Sequence, residues 1–207
     1  MQQTADLSHI TLAVLAGGKG RRMGIPKAHL SIGGKPILAH VLETLQWPGP
    51  TLLVTAPERE HPPGWELFDR EAVDPVEQGP LGGVLTALEN SQTAQIVIMT
   101  LDMPNIRLSH LAWMVDRLNP QSEFLGLMSR RLYQGAEQVE PFPFACRAAA
   151  REIIARRLAA GNFAVHRLSE LAEFAANSIP SDWPTEVWVN INSPEDFQAY
   201  VASIKSG

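Results

Sequence analysis

A single cysteine, Cys146, stands in 207 residues. That excludes an intrachain disulfide and a cysteine-built metal cluster, and it favours a reducing compartment. Cys146 itself reads as a small hydrophobe within a strand. There is no surplus of positive charge. Asp and Glu number 22 against 17 Lys and Arg, for a net charge of −5, which argues against a general nucleic-acid binder. Apolar runs long enough to span a bilayer are missing, so no membrane partner is expected. Met1 to His9 lacks the basic and apolar stretch of a signal peptide, so a cytoplasmic location is expected. No G-x-S-x-G elbow and no H-E-x-x-H helix occur, which argues against an α/β-hydrolase and a zinc protease. His29, His40, His61, His110 and His166 have no metal-ligand spacing and read as surface or partly packed residues.

What is present is an alternation of strand-like and helix-like segments from end to end. Ile10 to Leu15, Thr51 to Thr55, Glu71 to Asp74, Ile96 to Leu101, Phe124 to Met128, Phe142 to Cys146 and Val187 to Ile191 read as strands. Ile37, Leu38, Val41, Leu42 and Leu45 follow helical spacing, with Pro36 at the first helical position and Pro48-Gly49-Pro50 as the stop. Further helices are expected after Gly83, after a Ser109 cap, over Ala148 to Ala160 and near Ala164 to Phe174. A last helix should begin at Ser193-Pro194-Glu195-Asp196 and present Phe197, Tyr200, Val201 and Ile204 as its apolar face. The expected architecture is a single α/β domain over residues 1–207: a mostly parallel sheet in three layers, with helices on both faces. Such sheets bind ligands at the carboxyl ends of their strands.

The segment Leu15-Ala16-Gly17-Gly18-Lys19-Gly20-Arg21-Arg22-Met23-Gly24-Ile25-Pro26-Lys27 directly follows the first strand. Glycines let backbone amides approach an anion and form a nest for phosphate oxygens. Lys19, Arg21, Arg22 and Lys27 add cationic charge. The pattern is neither a P-loop, which needs Gly-Lys-Ser/Thr, nor the dinucleotide G-x-G-x-x-G, whose third glycine would fall on Met23. A phosphate loop of another kind is the expectation.

Asp102 ends the most apolar strand, where a carboxylate can meet a divalent cation beside phosphate oxygens. An Asx turn or a helix cap before Pro104 is the alternative. Asp74, followed by Gly79-Pro80-Leu81-Gly82-Gly83, reads as a compact turn able to approach a base or sugar. Asn190 and Asn192 would share one face of a strand, unless Asn192 belongs to a turn and Ser193 simply caps the helix.

Taken in order, Leu15 to Lys27, Gly33-Gly34-Lys35-Pro36, Gly79 to Gly83, Leu101-Asp102-Met103-Pro104 and Asn190-Ile191-Asn192-Ser193-Pro194-Glu195-Asp196 resemble the molybdenum cofactor guanylyltransferases. These are a branch of the nucleotidyltransferases with a Rossmann-like fold, and the likeness covers nearly the whole chain. Three positions depart from the family's habit. Pro26 stands where Asp usually precedes the loop lysine, Glu140-Pro141 where Gln-Pro or His-Pro is common, and Thr55 where the strand often ends in Asn. The Ala16-Gly17-Gly18 order is closer to the guanylyl-transferring branch than to the cytidylyl-transferring one.

The resemblance implies a Mg²⁺-dependent transfer of GMP from GTP to molybdopterin. Leu15, Ala16, Gly17, Gly18, Lys19, Gly20, Arg21 and Lys27 would hold the nucleotide phosphates. Asp74 and the Gly79 to Gly83 turn, with Gly79, Pro80 and Leu81 foremost, would contact the nucleoside end. Arg22, Lys27 and Asp102 would carry the catalytic charge, with Asp102 on the metal, and Asn190 and Asn192 would lie by the acceptor or the metal. A molybdoenzyme or cofactor-insertion protein is a possible downstream partner. The competing expectations are a cytidylyltransferase or sugar-phosphate nucleotidylyltransferase on the same scaffold, and a nucleotide-binding regulator without catalysis.

Overall fold

A computed structural model describes residues 5–18, 23–57, 60–76 and 79–205. The first strand, β1 (Ile10–Leu15), is buried at five successive positions. Neighbouring side chains on a strand point to opposite faces, so unbroken burial means both faces are covered. The next long apolar strand, β6 (Gln95–Thr100), is likewise buried at Ile96, Val97, Ile98 and Met99. Between them lie the two-residue strands β2 (Ser31–Ile32) and β3 (Lys35–Pro36), then β4 (Thr51–Thr55) and β5 (Arg70–Val73). After β6 come β7 (Gly126–Tyr133), β8 (Ala136–Arg147) and β9 (Phe174–Ser178). The helices are α1 (Ile37–Leu45), α2 (Pro80–Asn90), α3 (Leu108–Arg117), α4 (Arg151–Ala159) and α5 (Pro194–Lys205).

The main sheet has seven strands in the order β5-β4-β1-β6-β8-β7-β9, with β2 and β3 as a separate antiparallel pair. All adjacent pairs from β5 to β6 are parallel. Strand β8 runs antiparallel to both β6 and β7, and β9 pairs parallel with β7. One reversed strand therefore sits inside an otherwise parallel sheet, the mostly parallel α/β architecture expected from the sequence. No helix among the described residues is long and apolar enough to cross a membrane.

Several boundaries differ from the sequence expectation, each for a local reason. Gly79 to Gly83 is not a free turn: α2 already begins at Pro80, and Gly79 holds φ +74° ahead of it. Proline fits the first helical position because its missing N–H would be unpaired there anyway. Gly83 lies inside the helix, where an added Cβ would sit 3.3 Å from both Leu15 methyls, so the glycine lets α2 lie close on β1. Helix α1 starts one residue after Pro36 and ends before Pro48, with Gln46 in the left-handed region at φ 46°. Arg107, not Ser109, is the N-cap residue of α3, and His110 Nδ1 accepts from the Arg107 amide at 3.0 Å.

The segment expected as a helix near Ala164 to Phe174 is a 3₁₀ stretch over Val165–Glu170, and Phe174 opens β9 instead. Ala148–Ala150 is likewise 3₁₀ before α4 begins. Val187 to Ile191 is not a strand. Thr185–Trp188 is 3₁₀, and Asn190 and Asn192 follow in unpaired loop. Ile204 is 43% exposed, so the packed face of α5 rests on Phe197, Tyr200 and Val201.

Cys146 is buried in β8, and burial pushes its thiol well above the ordinary range. The first position of β7 has no room for a side chain. A Cβ on Gly126 would lie 2.7 Å from the Phe174 ring and 2.8 Å from the Phe144 ring. Overpacking a filled core costs about 1–3 kcal/mol. Gly126→Ala is therefore expected to lower stability by about that much, read from the midpoint of chemical denaturation.

Candidate active site

A cleft of about 470 Å³ opens over the carboxyl ends of four adjacent strands. Asp74 contributes from just after β5, and Val54, Thr55 and Ala56 from β4. Leu15, Ala16, Gly17 and Gly18 contribute from β1, and Thr100, Leu101 and Asp102 from β6. Gly79, Pro80 and Gly83 of α2 close one side, and Lys27 reaches in. Four parallel strands span three inter-strand spacings, about 14 Å from Asp74 to Asp102. That matches a nucleotide with its phosphates extended. The two ends differ chemically.

At the β6 end, Lys27 begins a 3₁₀ turn after Pro26. Its Nζ donates to Asp102 Oδ2 at 3.1 Å and to Asn192 Oδ1 at 3.2 Å. The side chains of Lys27 and Asp102 are 22% and 25% exposed. The pair is sheltered enough to hold its geometry yet open to a ligand. Thr100 Oγ1 donates to the other Asp102 oxygen, fixing the carboxylate from the strand side.

Asn192 comes from the far end of the chain. The Ile191 amide donates to the Asp102 carbonyl at 2.8 Å, and the Ile191 side chain is fully buried. Asp196 Oδ2 accepts from the Asn192 and Ser193 amides, both at 2.9 Å, while Ser193 Oγ accepts from the Asp196 amide. This reciprocal cap starts α5. The Asp196 carboxyl is held below the usual carboxylate range, first by the Asn192 amide, with the Ser193 groups and the Lys27 charge adding. The capping motif read in the sequence therefore also delivers Asn192 to Lys27.

At the β5 end the walls are apolar or hydrogen-bonded. Asp74 is buried; its amide donates to the Thr55 carbonyl at 2.8 Å, and its Oδ1 accepts from the Val76 amide at 3.2 Å. Gly17 and Gly18 line the middle. Neither takes a positive φ, and a Cβ on Gly18 would meet nothing within 4 Å. Glycine there leaves the cleft wall open rather than allowing an unusual backbone.

The chain matches the MobA-like NTP transferase domain over residues 12–177. It belongs to that family. Among its relatives, a probable molybdenum cofactor guanylyltransferase of Thermococcus gammatolerans is 28% identical over 189 residues, covering 89% of this chain and 95% of the relative. A molybdenum cofactor guanylyltransferase of Syntrophotalea carbinolica is 29% identical, covering 90% and 88%. In three dimensions the chain is similar to molybdopterin-guanine dinucleotide biosynthesis protein A from Archaeoglobus fulgidus. The TM-score is 0.73 at 21% identity, with 96% of this chain and 100% of the other covered. That likeness shows the shared fold.

Within this MobA-like domain the cleft gathers most of the residues singled out in the sequence. Leu15, Ala16, Gly17, Gly18, Lys27, Asp74, Gly79, Pro80 and Asp102 all line it, and Asn192 touches Lys27. Leu81 does not: its side chain is fully buried in the core. Asn190 turns back, its Nδ2 donating to the Trp188 carbonyl at 3.0 Å. Lys19, Gly20, Arg21 and Arg22 lie outside the described residues.

Sequence reasoning missed Val54, Thr55, Ala56 and Thr100 as cleft residues, while Gly83 belongs to the turn it placed at the nucleoside end. The rule that ligands sit at strand carboxyl ends would have flagged Thr55 and Thr100. Among the described residues no group of three or more His, Cys, Asp or Glu side chains could hold a metal ion. Mg²⁺ bound with a nucleoside triphosphate needs only one or two carboxylates, because phosphates and water fill its other positions. Asp102 fits that requirement. Its Oδ2 already faces a cation, the Lys27 ammonium.

Proposed function

We propose that this chain is a molybdenum cofactor guanylyltransferase, transferring GMP from GTP to molybdopterin with release of pyrophosphate. The observation that carries the reading is the Lys27–Asp102 pair at one end of a cleft that crosses four strand ends. Family membership and the names of the two relatives support the substrates.

In this reaction an oxygen of the molybdopterin phosphate attacks the α-phosphorus of GTP. The bond from that phosphorus to the bridging oxygen breaks, and pyrophosphate leaves. Negative charge rises on the transferring phosphoryl group, so fixed positive charge aimed there lowers the barrier. Lys27 supplies such a charge, held in place by Asp102 and Asn192. Gly17 and Gly18 leave space for the phosphates beside β1, and Lys19, Arg21 and Arg22 add positive charge in the sequence that follows. Mg²⁺, held by Asp102, would neutralise phosphate oxygens and favour pyrophosphate as leaving group. Val54, Ala56 and Pro80 offer an apolar bed for the nucleoside, with Asp74 beside them. No covalent enzyme intermediate is required; positioning and charge do the chemistry.

The test is pyrophosphate release from each of the four nucleoside triphosphates with Mg²⁺, with and without molybdopterin. Release confined to GTP plus molybdopterin is the expected result. Release with CTP, or with a sugar phosphate in place of molybdopterin, would move the chain to a sister activity on the same scaffold. No release under any condition would leave a nucleotide-binding regulator.

A further inference from the structure

Asp102 is tied down twice by the protein itself. The Ile191 amide donates to its carbonyl at 2.8 Å, which fixes the backbone just past the end of β6. Thr100 Oγ1 donates to Oδ1, which fixes the plane of the carboxylate. An ionised carboxylate has no proton to give, so the Thr100 hydroxyl must be the donor. Thr100 itself lines the cleft. The second carboxylate oxygen, Oδ2, faces Lys27 Nζ at 3.1 Å. Of the two carboxylates that line the cleft among the described residues, Asp74 lies at the far end. A metal beside the phosphates therefore meets Asp102 alone, and meets it with one oxygen already engaged by the strand.

Divalent cations differ in how they take a carboxylate. Mg²⁺ is small and demands near-ideal octahedral geometry, and the two oxygens of one carboxylate are too close together to fill two corners of an octahedron. Ca²⁺ is larger, accepts more oxygens in looser geometry, and takes a carboxylate by one oxygen or by both. We propose that Thr100, acting through Asp102, is a positioning residue for metal choice: by holding Oδ1 it presents the carboxylate as a single-oxygen ligand, which suits Mg²⁺ and denies Ca²⁺ a two-oxygen grip. Without that hydroxyl the carboxylate is free to turn about its Cβ–Cγ bond and bring both oxygens to the ion. A hydrogen bond to a charged group shifts such an equilibrium about tenfold. This role rests on Asp102 holding the metal of the guanylyl transfer proposed above, and it names what selects the ion.

The test reads binding rather than turnover, with paramagnetic Mn²⁺ as the probe and water proton relaxation as the signal. Wild type, Thr100→Val, Thr100→Ala, Thr100→Ser and Asp102→Asn are each loaded with Mn²⁺ and GTP in the absence of molybdopterin. The Mn²⁺ is then displaced with Mg²⁺ or with Ca²⁺, and GTP without protein gives the baseline. Thr100→Val keeps the shape and removes the hydroxyl; Thr100→Ala removes it with a smaller side chain. Both are expected to improve displacement by Ca²⁺ relative to Mg²⁺ about tenfold, whereas Thr100→Ser retains the wild-type ratio. A merely structural role would weaken every ion alike and leave the ratio unmoved. An unchanged ratio in Thr100→Val and Thr100→Ala, in a protein whose Mn²⁺ binding weakens on Asp102→Asn, overturns the role of Thr100 and spares Asp102 as metal ligand. Mn²⁺ binding untouched by Asp102→Asn, or a wild type that adds nothing to the signal of GTP alone, overturns both, and this shows before any Thr100 variant is compared.

Discussion

Asp102→Asn is expected to lower kcat for nucleotidyl transfer by about 10²–10³-fold, the usual loss when one preorganised electrostatic group is removed. The substitution changes charge but hardly changes shape. The Asn oxygen can still accept from Thr100 Oγ1, and the Asp102 carbonyl still receives the Ile191 amide. The strand end and the loop that brings Asn192 should therefore stay in place, and the melting temperature should move by only a few degrees. What disappears is the negative charge that orients Lys27 and would bind Mg²⁺. The Mg²⁺ concentration needed for half-maximal rate should rise with the fall in kcat. Full turnover at ordinary Mg²⁺ would remove Asp102 from both roles and reduce it to the strand-end turn that its position before Pro104 also allows.

The parts of the fold legible in the sequence are those where burial alone fixes the structure. Strands β1 and β6 sit between covered faces, so their residues are apolar without interruption. Helix α1 buries Ile37, Leu38, Val41 and Leu45, the 3.6-residue spacing seen in the sequence. The misread segments are those where a distant partner decides. Val187-Trp188-Val189 looks like strand by composition, but Val189 is 41% exposed and no neighbouring strand pairs with it. Strand β8 runs through the polar stretch Ala136 to Val139 because β7 folds back on it, through a turn with Gln134 at φ 50° and Gly135 at φ 81°. Residues 136–139 carry no apolar periodicity of their own.

The candidate site divides along the same line. Asp102 stands out because a carboxylate follows the most apolar strand, where α/β sheets bind ligands, and Lys27 because it closes a glycine-rich, cationic sequence after β1. Their contact spans 75 residues of chain and depends on β1 and β6 being neighbours. Asn192 was noticed for a face it does not share with Asn190, since no strand exists there; it reaches Lys27 through the buried anchor of Ile191 and the Asp196 cap. Thr55 stood out only as a departure from the Asn that often ends this strand in the family, and Glu71 gave no signal. Neither belongs to a motif, and only the register of β4 on β5 brings them together.

Lys27→Met is expected to lower kcat/KM by a comparable factor, about 10²–10³-fold, for a different reason. Methionine fills nearly the same length but cannot donate, so Asp102 Oδ2 and Asn192 Oδ1 lose their shared cation. A larger part of the loss should fall on kcat than on nucleotide affinity, because charge on the transferring phosphoryl group builds up during the reaction. Arginine is not an equivalent replacement, since its planar fork is too broad for a point contact between two oxygens on converging loops.

The double substitution decides whether the pair acts as a unit. If Lys27 works in the position Asp102 gives it, Lys27→Met in an Asp102→Asn background should cost far less than in wild type, because most of the arrangement is already lost. If the two losses simply multiply, each residue acts on the substrate by itself, and their 3.1 Å contact is a resting-state ion pair that the incoming nucleotide separates.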